Sequence, residues 1–167
     1  MRRLSFSSGG GFTLTELITV IVIIGVIAAA AIPRFVGRQG AESRAFFDEC
    51  QAVVRHAQKV AIAQRRPVFV NITSTRIGIC YDAGCANHVP APVGFQLTTD
   101  SAAANCLNDP NWLCAGAPPD VTVTSALANF TFNGLGQPSF ATPLTITVAG
   151  DVNRTITVER ETGYVHP

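Results

Sequence analysis

The stretch GGGFTLTELITV, residues 9–20, contains a single carboxylate, Glu16, among apolar and small side chains. The apolar run continues as IVIIGVIAAAAIP, so the 22 residues from Phe12 to Pro33 contain no other charge. As a helix, a run of this length spans about 30 Å, the thickness of the hydrocarbon core of a bilayer. A lone carboxylate in such a segment costs roughly 2.5–3.5 kcal/mol on insertion scales. Its presence therefore requires a physical reason.

Two ordinary interpretations of residues 1–33 leave Glu16 unexplained. Residues 1–11, MRRLSFSSGGG, are basic and rich in Ser and Gly, which predicts a leader. A secretory signal peptide or a plain transmembrane anchor would each account for this start and for the apolar run, but not for the carboxylate. Arg2 and Arg3 precede the run, so the positive-inside rule keeps the N-terminus cytoplasmic and sends the rest outward.

A third interpretation rests on a resemblance. The segment GFTLTELITVIVIIGVIAAAAIP resembles the N-termini of type IV pilins and of type II secretion pseudopilins. In that family a prepilin peptidase cuts after the glycine and N-methylates the new terminus. The resemblance implies cleavage between Gly11 and Phe12, N-methylation of Phe12, and a role in assembly for Glu16. It also implies the type IV pilin fold, of α+β class, with a long N-terminal helix packed on an antiparallel β-sheet head.

The resemblance gives Glu16 a partner. Cleavage creates a positive amine at Phe12, one helical turn away from the carboxylate. A buried carboxylate needs a partner, and the amine of a neighbouring subunit in a filament supplies one. A subunit that enters out of step leaves both charges unpaired, so the pair would help to set the axial register.

Residues 34–66, above all the part after Gly40, have the pattern of an amphipathic helix. Apolar residues recur at intervals of three and four, which is helical spacing: Phe46, Cys50, Val53, Ala57 and Val60. A kink or frayed stretch is expected upstream, where Pro33, Gly37 and Gly40 occur. The helix, about 50 residues long, is expected to end near residues 65–66, because Pro67 disfavours helical geometry in the residue before it.

The remaining chain has the pattern of short strands. Alternating apolar residues and turn signals predict strands at PVFVNIT, RIGICY, VGFQLT, VTVTS and NFTFN, the first two as a hairpin. The clearest hairpin is PLTITVAGDVNRTITVER, residues 143–160, and ETGYVH closes the chain with a last short strand.

The five cysteines suit an oxidising compartment. Four form two close pairs, Cys80 with Cys85 and Cys106 with Cys114, separated by turn-forming residues. Neither pair has the CxxC spacing of a zinc site, so no metal is expected, and two local disulfides are favoured if the chain leaves the cytoplasm. Four cysteines allow three connectivities, which the sequence does not decide. Cys50 belongs to neither pair, and we predict that it is a small apolar residue on a helix face.

The predicted head points to one branch of the family. The segments FFDECQAVVRHAQKVAIAQRRPVFVNI, NFTFNGLGQPSF and TITVERETGYVH resemble the H-pseudopilin/FimT branch, and within it the minor pilin C subunits of mannose-sensitive haemagglutinin (MSHA) pili. The resemblance covers residues 9–81 and 130–166, but not the cysteine-rich middle. It divides the chain into a leader (1–11), a transmembrane and filament-core helix (12–33), an amphipathic helix half (34–66) and a β-rich periplasmic head (67–167) with a cysteine-rich loop region (80–120).

The implied function is that of a minor pilin that helps to initiate assembly of a type IV, MSHA-type pilus. The alternatives are an H-type pseudopilin of a type II secretion system and a DNA-binding minor pilin for uptake. Implied partners are other pilin subunits, prepilin peptidase, the inner-membrane assembly platform, and membrane lipid before extraction. The implied location is the inner membrane, as a single-pass protein with a periplasmic head, and later the filament on the cell surface.

Charge and composition argue against the other classes. Without Arg2 and Arg3 the chain has 10 basic and 11 acidic side chains, which is not a general nucleic-acid footprint. Four arginines could form a patch for phosphate, but ordinary solvated positions are expected for them: Arg65, Arg66, Arg76 and Arg154. The three histidines are scattered, and no Ser or Cys lies in a nucleophile motif, so neither an enzyme nor a cofactor is expected.

Overall fold

The computed structural model describes residues 12–95 and 100–167, with the backbone alone for residues 29–39. The described residues fall into two compact units, divided between Arg38 and Gln39. In chain order the elements are α1 (Leu14–Gln64), β1 (Val68–Thr73), β2 (Arg76–Cys80), α2 (Asp100–Asn105), β3 (Cys114–Gly116), β4 (Thr122–Ser125), β5 (Asn129–Phe132), β6 (Leu144–Ala149), β7 (Arg154–Val158) and β8 (Val165–His166).

Helix α1 is uninterrupted over its 51 residues. The backbone remains helical at Pro33, Gly37 and Gly40, so the frayed stretch expected there is wrong. Four alanines, residues 28–31, precede the proline, and alanine is the strongest helix former. A single proline removes one backbone hydrogen bond, which the bonds of the neighbouring turns outweigh.

The C-terminus of α1 is closed by backbone hydrogen bonds. The Arg66 N–H donates to the Ala61 carbonyl at 3.2 Å, and the Arg65 N–H donates to the Ile62 carbonyl at 3.3 Å. This pair of bonds is the Schellman arrangement, in which the residue after the cap takes a left-handed backbone. Arg65 has that backbone, with a φ of 49°. The helix thus ends at Gln64, next to the end predicted from Pro67.

Two antiparallel sheets form the second unit together with the C-terminal half of α1. Their strand orders are β3-β2-β1-β5 and β4-β6-β7-β8. The hairpins β1–β2 and β6–β7 are those that the sequence predicted. In the expected strand VGFQLT, residues 93–95 instead form a turn closed by a Phe95 N–H to Pro92 carbonyl bond of 3.0 Å, and the rest lies outside the described residues. Helix α2 and strand β3 were not expected.

The core lies between one face of α1 and the inner faces of the sheets. The helix contributes residues three and four apart, all of them buried: Phe46, Phe47, Cys50, Val53, Val54, Ala57 and Ala61. The strands contribute the buried positions of their alternating patterns, such as Val68, Val70 and Ile72 in β1. This arrangement confirms the α+β prediction of a helix packed on an antiparallel sheet.

The left-handed backbone of Arg65 leads to a first prediction. Because glycine adopts positive φ without the steric cost of a Cβ, Arg65→Gly is expected to stabilise the fold by roughly 0.5–1 kcal/mol. The matched control is Arg66→Gly, whose position lies outside the left-handed region and should gain nothing. Thermal unfolding of the full chain in detergent, followed by circular dichroism, measures both variants. An unchanged or lower Tm for Arg65→Gly would contradict the prediction.

Candidate assembly surface and disulfide region

The first turn of α1 is capped by Thr13. Its Oγ1 accepts the N–H of Glu16 at 3.3 Å, and its carbonyl accepts the N–H groups of Glu16 and Leu17 at 3.1 and 3.2 Å. The spacing Thr-x-x-Glu is that of a capping box, a signal that the sequence analysis missed. Glu16 is exposed in this first turn, where the positive end of the helix dipole favours a negative charge.

Apolar side chains cover the helix after this cap. Those of residues 12–28 are each at least 45% exposed: Phe12, Leu14, Leu17, Ile18, Val20, Ile21, Val22, Ile23, Ile24, Val26 and Ile27. A helix that is apolar on all sides is normally covered by lipid or by protein. An exposed apolar surface of this extent marks an interaction site. We call residues 12–28 the apolar segment.

The structure places part of the sequence-predicted processing site. Phe12 is 84% exposed at the start of the apolar segment, whereas Gly11 lies outside the described residues. Among the residues that the structure describes, no helix combines the length and the apolarity needed to cross a membrane.

The structure joins the cysteines as two local disulfides, between Cys80 and Cys85 and between Cys106 and Cys114. Their Cα atoms are 5.1 and 6.0 Å apart, respectively. These are the pairings that the sequence favoured. Cys50 is a free thiol buried in the core, and its pKa is raised well above the usual value by burial and then by the charge of Glu49. It is therefore an inert core residue rather than a reactive one.

Trp112 is the centre of a second, smaller core. It is 1% exposed and packs with Cys80, Cys106 and Cys114. Its indole N–H donates to the Ile79 carbonyl at 3.0 Å, which fixes the ring over strand β2. The His88 ring stacks on the indole with centroids 4.1 Å apart and planes 9° apart. The buried ring and the two disulfides thus tie the cysteine-rich loops to the sheet.

Two carboxylates hold these loops in place. Asp82 accepts the backbone N–H groups of Ala86 and Asn87 at 3.0 and 2.7 Å, and these bonds lower its pKa. Asp109 lies 2.9 Å from Nδ1 of His88, and its pKa is lowered first by that hydrogen bond and then by the N–H of Asn111. Both carboxylates are therefore ionised acceptors in the folded chain.

Three of the four arginines considered for a phosphate patch have separate partners. The Arg66 guanidinium lies 4.0 Å from the centroid of the Tyr81 ring, and Arg76 donates to the Asn105 carbonyl at 3.0 Å. Arg154 donates to Asp151 at 3.3 Å. These contacts use the three arginines individually; Arg65 and Arg66 are exposed, as the sequence analysis expected, whereas Arg76 and Arg154 are half-buried. Within the described ranges, no group of three or more His, Cys, Asp or Glu is arranged to hold a metal ion.

A family model described as "Type II transport protein GspH" matches residues 48–162, which is more than half of the chain. The chain belongs to this GspH family. Pilins and pseudopilins of this kind are structural subunits that assemble with other pilin subunits.

This GspH family member is also similar to individual pilins. The chain is 45% identical over 58 residues to the type IV narrow pilus major component PilA5 of Thermus thermophilus. The match covers 35% of this chain. This chain spans half the length of that relative. Two crystal structures of the type IV minor pilin FimU of Pseudomonas aeruginosa share the fold. Their TM-scores are 0.55 and 0.50 at 16% and 15% identity; they cover 79% and 74% of this chain, and the chain covers 90% of each.

Close packing around Trp112 leads to a second prediction. A Cβ at Gly78 would overlap the Trp112 indole, so Gly78→Ala must displace the ring or the strand. We expect a loss of about 1–3 kcal/mol in the free energy of unfolding, the usual cost of overpacking. The control is Gly84→Ala, where the nearest atom to a Cβ is an Asp82 oxygen at an ordinary 3.5 Å. Equal Tm values for the two variants would refute tight packing at Gly78.

The loop carboxylates lead to a third prediction, on pH. The folded-state pKa of Asp82 lies below its unfolded value of about 3.9. The stability that ionised Asp82 contributes to the fold is therefore present above that unfolded value, and it is lost as pH falls through the folded pKa. Unfolding of the full chain, measured from pH 6 to pH 2, should therefore show stability falling at the acid end. Asp82→Asn should reduce that slope, whereas Asp48→Asn, an exposed site on α1, should retain it. An unaltered slope in Asp82→Asn contradicts this role.

Proposed function

We propose that this chain is a minor pilin that helps to initiate assembly of a type IV pilus of the MSHA type. The observation that carries the proposal is the apolar segment with one carboxylate in its first turn. Exposed Leu, Ile and Val side chains need a protein or lipid environment, and Glu16 needs a cation within it. The first need is met by packing among helices of the same kind, and the second by the N-terminal amine of a neighbour.

The proposal gives the parts of the chain successive roles. Residues 1–11 are the leader, which prepilin peptidase removes between Gly11 and Phe12 before N-methylation of Phe12. Residues 12–33 cross the inner membrane until the subunit is extracted, through the assembly platform, into the filament core. Residues 34–66 are the amphipathic helix half, and residues 67–167 are the periplasmic head. No step requires a catalytic residue or a cofactor in this chain, because assembly is non-covalent.

In this proposal Glu16 sets the axial register of the subunit in the filament, whereas the apolar side chains supply most of the affinity between subunits. The apolar side chains bury similar area in neighbouring registers, because they cover the helix on all sides. The carboxylate distinguishes those registers, since an unpaired buried charge costs about 3–5 kcal/mol. Thr13 supports this role by capping the turn from which the carboxylate projects.

A second candidate function is that of an H-type pseudopilin in a type II secretion system. The description of the matching family model favours it. The same apolar segment and the same Glu16 would serve either filament, so the two functions differ in the partners of the head. Deletion of the gene separates them. Loss of surface pili with normal protein secretion supports the minor pilin, and the opposite result supports the pseudopilin.

Processing is tested by mass spectrometry of the chain co-expressed with a prepilin peptidase. We expect a mature chain that begins at Phe12 and carries one methyl group. The control omits the peptidase and should leave the leader attached. Cleavage after Ala30, or no cleavage with an active peptidase, would rule out this processing route.

The role of Glu16 gives a fourth prediction. Glu16→Gln retains the size of the side chain but not its charge, so it should leave cleavage intact and reduce incorporation into filaments by at least about tenfold. The matched control is Glu42→Gln, a carboxylate on the same helix beyond the apolar segment. Immunoblots of sheared filaments measure incorporation. Normal incorporation of Glu16→Gln would remove the pairing argument while leaving the family assignment in place.

A further inference from the structure

The chain contains three Asn-x-Thr triplets, the pattern of an acceptor for N-linked glycosylation. They are NIT at residues 71–73, NFT at residues 129–131 and NRT at residues 153–155. The residue two positions before the asparagine differs among them: Phe69, Leu127 and Asp151, in that order. Aspartate at this position completes Asp-x-Asn-x-Thr, the extended acceptor pattern of bacterial oligosaccharyltransferases. The third triplet alone has this extended pattern.

The first two triplets lie within the first sheet. Asn71 and Asn129 are register partners in the neighbouring strands β1 and β5, and Asn71 is also paired with Gly78 of β2. The middle residues of these triplets, Ile72 and Phe130, are 6% and 2% exposed and belong to the core. A transferase that holds either triplet in its own site would have to pull a core residue out of the sheet. Burial therefore protects both triplets, although the Asn129 side chain is itself exposed.

The third triplet follows the turn between β6 and β7. Asp151, Val152 and Asn153 are exposed. The middle residue of the triplet, Arg154, is half-buried and donates to the Asp151 carboxylate at 3.3 Å instead of entering the core. Arg154 and Thr155 are the first two residues of β7, at the turn end of the hairpin. Since strand ends open locally at a low free energy, a transferase can bind this triplet without disturbing the core.

The two side chains that define an acceptor are accessible in the third triplet. Asn153 and Thr155 are exposed, and neither side chain makes a hydrogen bond within residues 12–95 and 100–167. In the first triplet the corresponding hydroxyl, Thr73 Oγ1, accepts the N–H of Thr75 at 3.4 Å. A hydroxyl offers one donor and two acceptors, so the Thr155 hydroxyl retains its full capacity for an incoming enzyme.

Asp151 is held beside this acceptor as an ionised group. The Ser43 hydroxyl and the Arg154 guanidinium both donate to its Oδ1 atom. The hydrogen bond from Ser43 is the main cause that lowers the Asp151 pKa, followed by the bond from the Val152 N–H. The side chain is nevertheless 36% exposed. The carboxylate can therefore pair with a cationic group of an enzyme that binds Asn153.

We propose that Asn153 is an acceptor site for N-linked glycosylation outside the cytoplasm. The donor is an oligosaccharide joined to a polyprenyl diphosphate. Nδ2 of Asn153 attacks the anomeric carbon of the donor, so that an N–C bond forms and the C–O bond to the diphosphate breaks. The polyprenyl diphosphate leaves with the electron pair, and the amide loses one proton to a base of the transferase.

This modification does not depend on which filament the chain joins. It requires that the second unit leaves the cytoplasm, and the two disulfides of that unit indicate an oxidising compartment. A glycan on an exposed turn is bulky and well solvated, so it fits the exposed surface at Asn153 and would not fit the paired strand at Asn71.

Mass spectrometry of the full chain, purified in detergent from its own cells, tests the proposal. After reduction, cleavage before aspartate separates the three triplets into peptides of residues 48–81, 120–150 and 151–167. We expect the mass of an oligosaccharide on the last peptide, with fragments that locate it on Asn153. Asn153→Gln should abolish this mass, whereas the matched control Asn129→Gln should retain it.

Two further pairs of variants test the recognition of the acceptor through the intact mass of the chain. Thr155→Val removes the hydroxyl and should abolish the glycan, whereas Thr155→Ser keeps the hydroxyl and should retain it. Asp151→Asn removes the negative charge and should reduce the glycosylated fraction, whereas Asp151→Glu should restore it. Circular dichroism and Tm identify any variant that fails to fold, and the conservative member of each pair then supplies the second readout.

Three results would overturn the proposal. One is an unmodified peptide of residues 151–167 in the chain from its own cells. Another is a glycan that persists in Asn153→Gln, because it would then be attached to a different residue. The third is a glycan on Asn71 or Asn129 as abundant as that on Asn153, because burial in the first sheet would then not select the site.

Discussion

Burial of one face of α1 is the contact on which the second unit depends. Phe46, Cys50, Val53, Ala57 and Ala61 cover four turns of helix and are almost fully removed from solvent. Neither four-stranded sheet could bury its inner face alone, because each has an apolar face that requires a cover. The helix provides that cover for both sheets. The strand order, the hairpins and the outward-facing residues all follow from which strand faces the helix must bury.

Loops that lack such a cover are held by other means. The cysteine-rich region has its own small core, in which the Trp112 ring packs against the disulfides and under the His88 ring. Buried apolar area is small in a loop of this size, so covalent links and ionised carboxylates supply the order that a larger core would supply elsewhere. Beside these loops, β2 and β3 pair in an antiparallel ladder.

The same helix has a different chemistry at its two ends. In the second unit its apolar residues lie on one face and are buried, whereas in the apolar segment they cover every side and are exposed. This difference separates a helix half that folds within its own chain from one that needs other molecules. Thr13 and Glu16 lie where the second kind of helix begins, and they provide both its cap and its only charge.

The sequence by itself determined the features that depend on local spacing. Helical intervals of three and four, the Pro67 stop and the alternation in residues 144–148 and 156–158 predicted α1 and the main hairpins, because these patterns involve residues close in the chain. The apolar segment and its single carboxylate, Glu16, were likewise identified from the sequence. Only the tertiary structure decided which distant segments meet. The stacking of His88 on Trp112, the alignment of Thr124, Thr147 and Thr155, and the place of Tyr164 beside His166 depend on strand register and loop closure. The core fixes that register, and no local pattern specifies it.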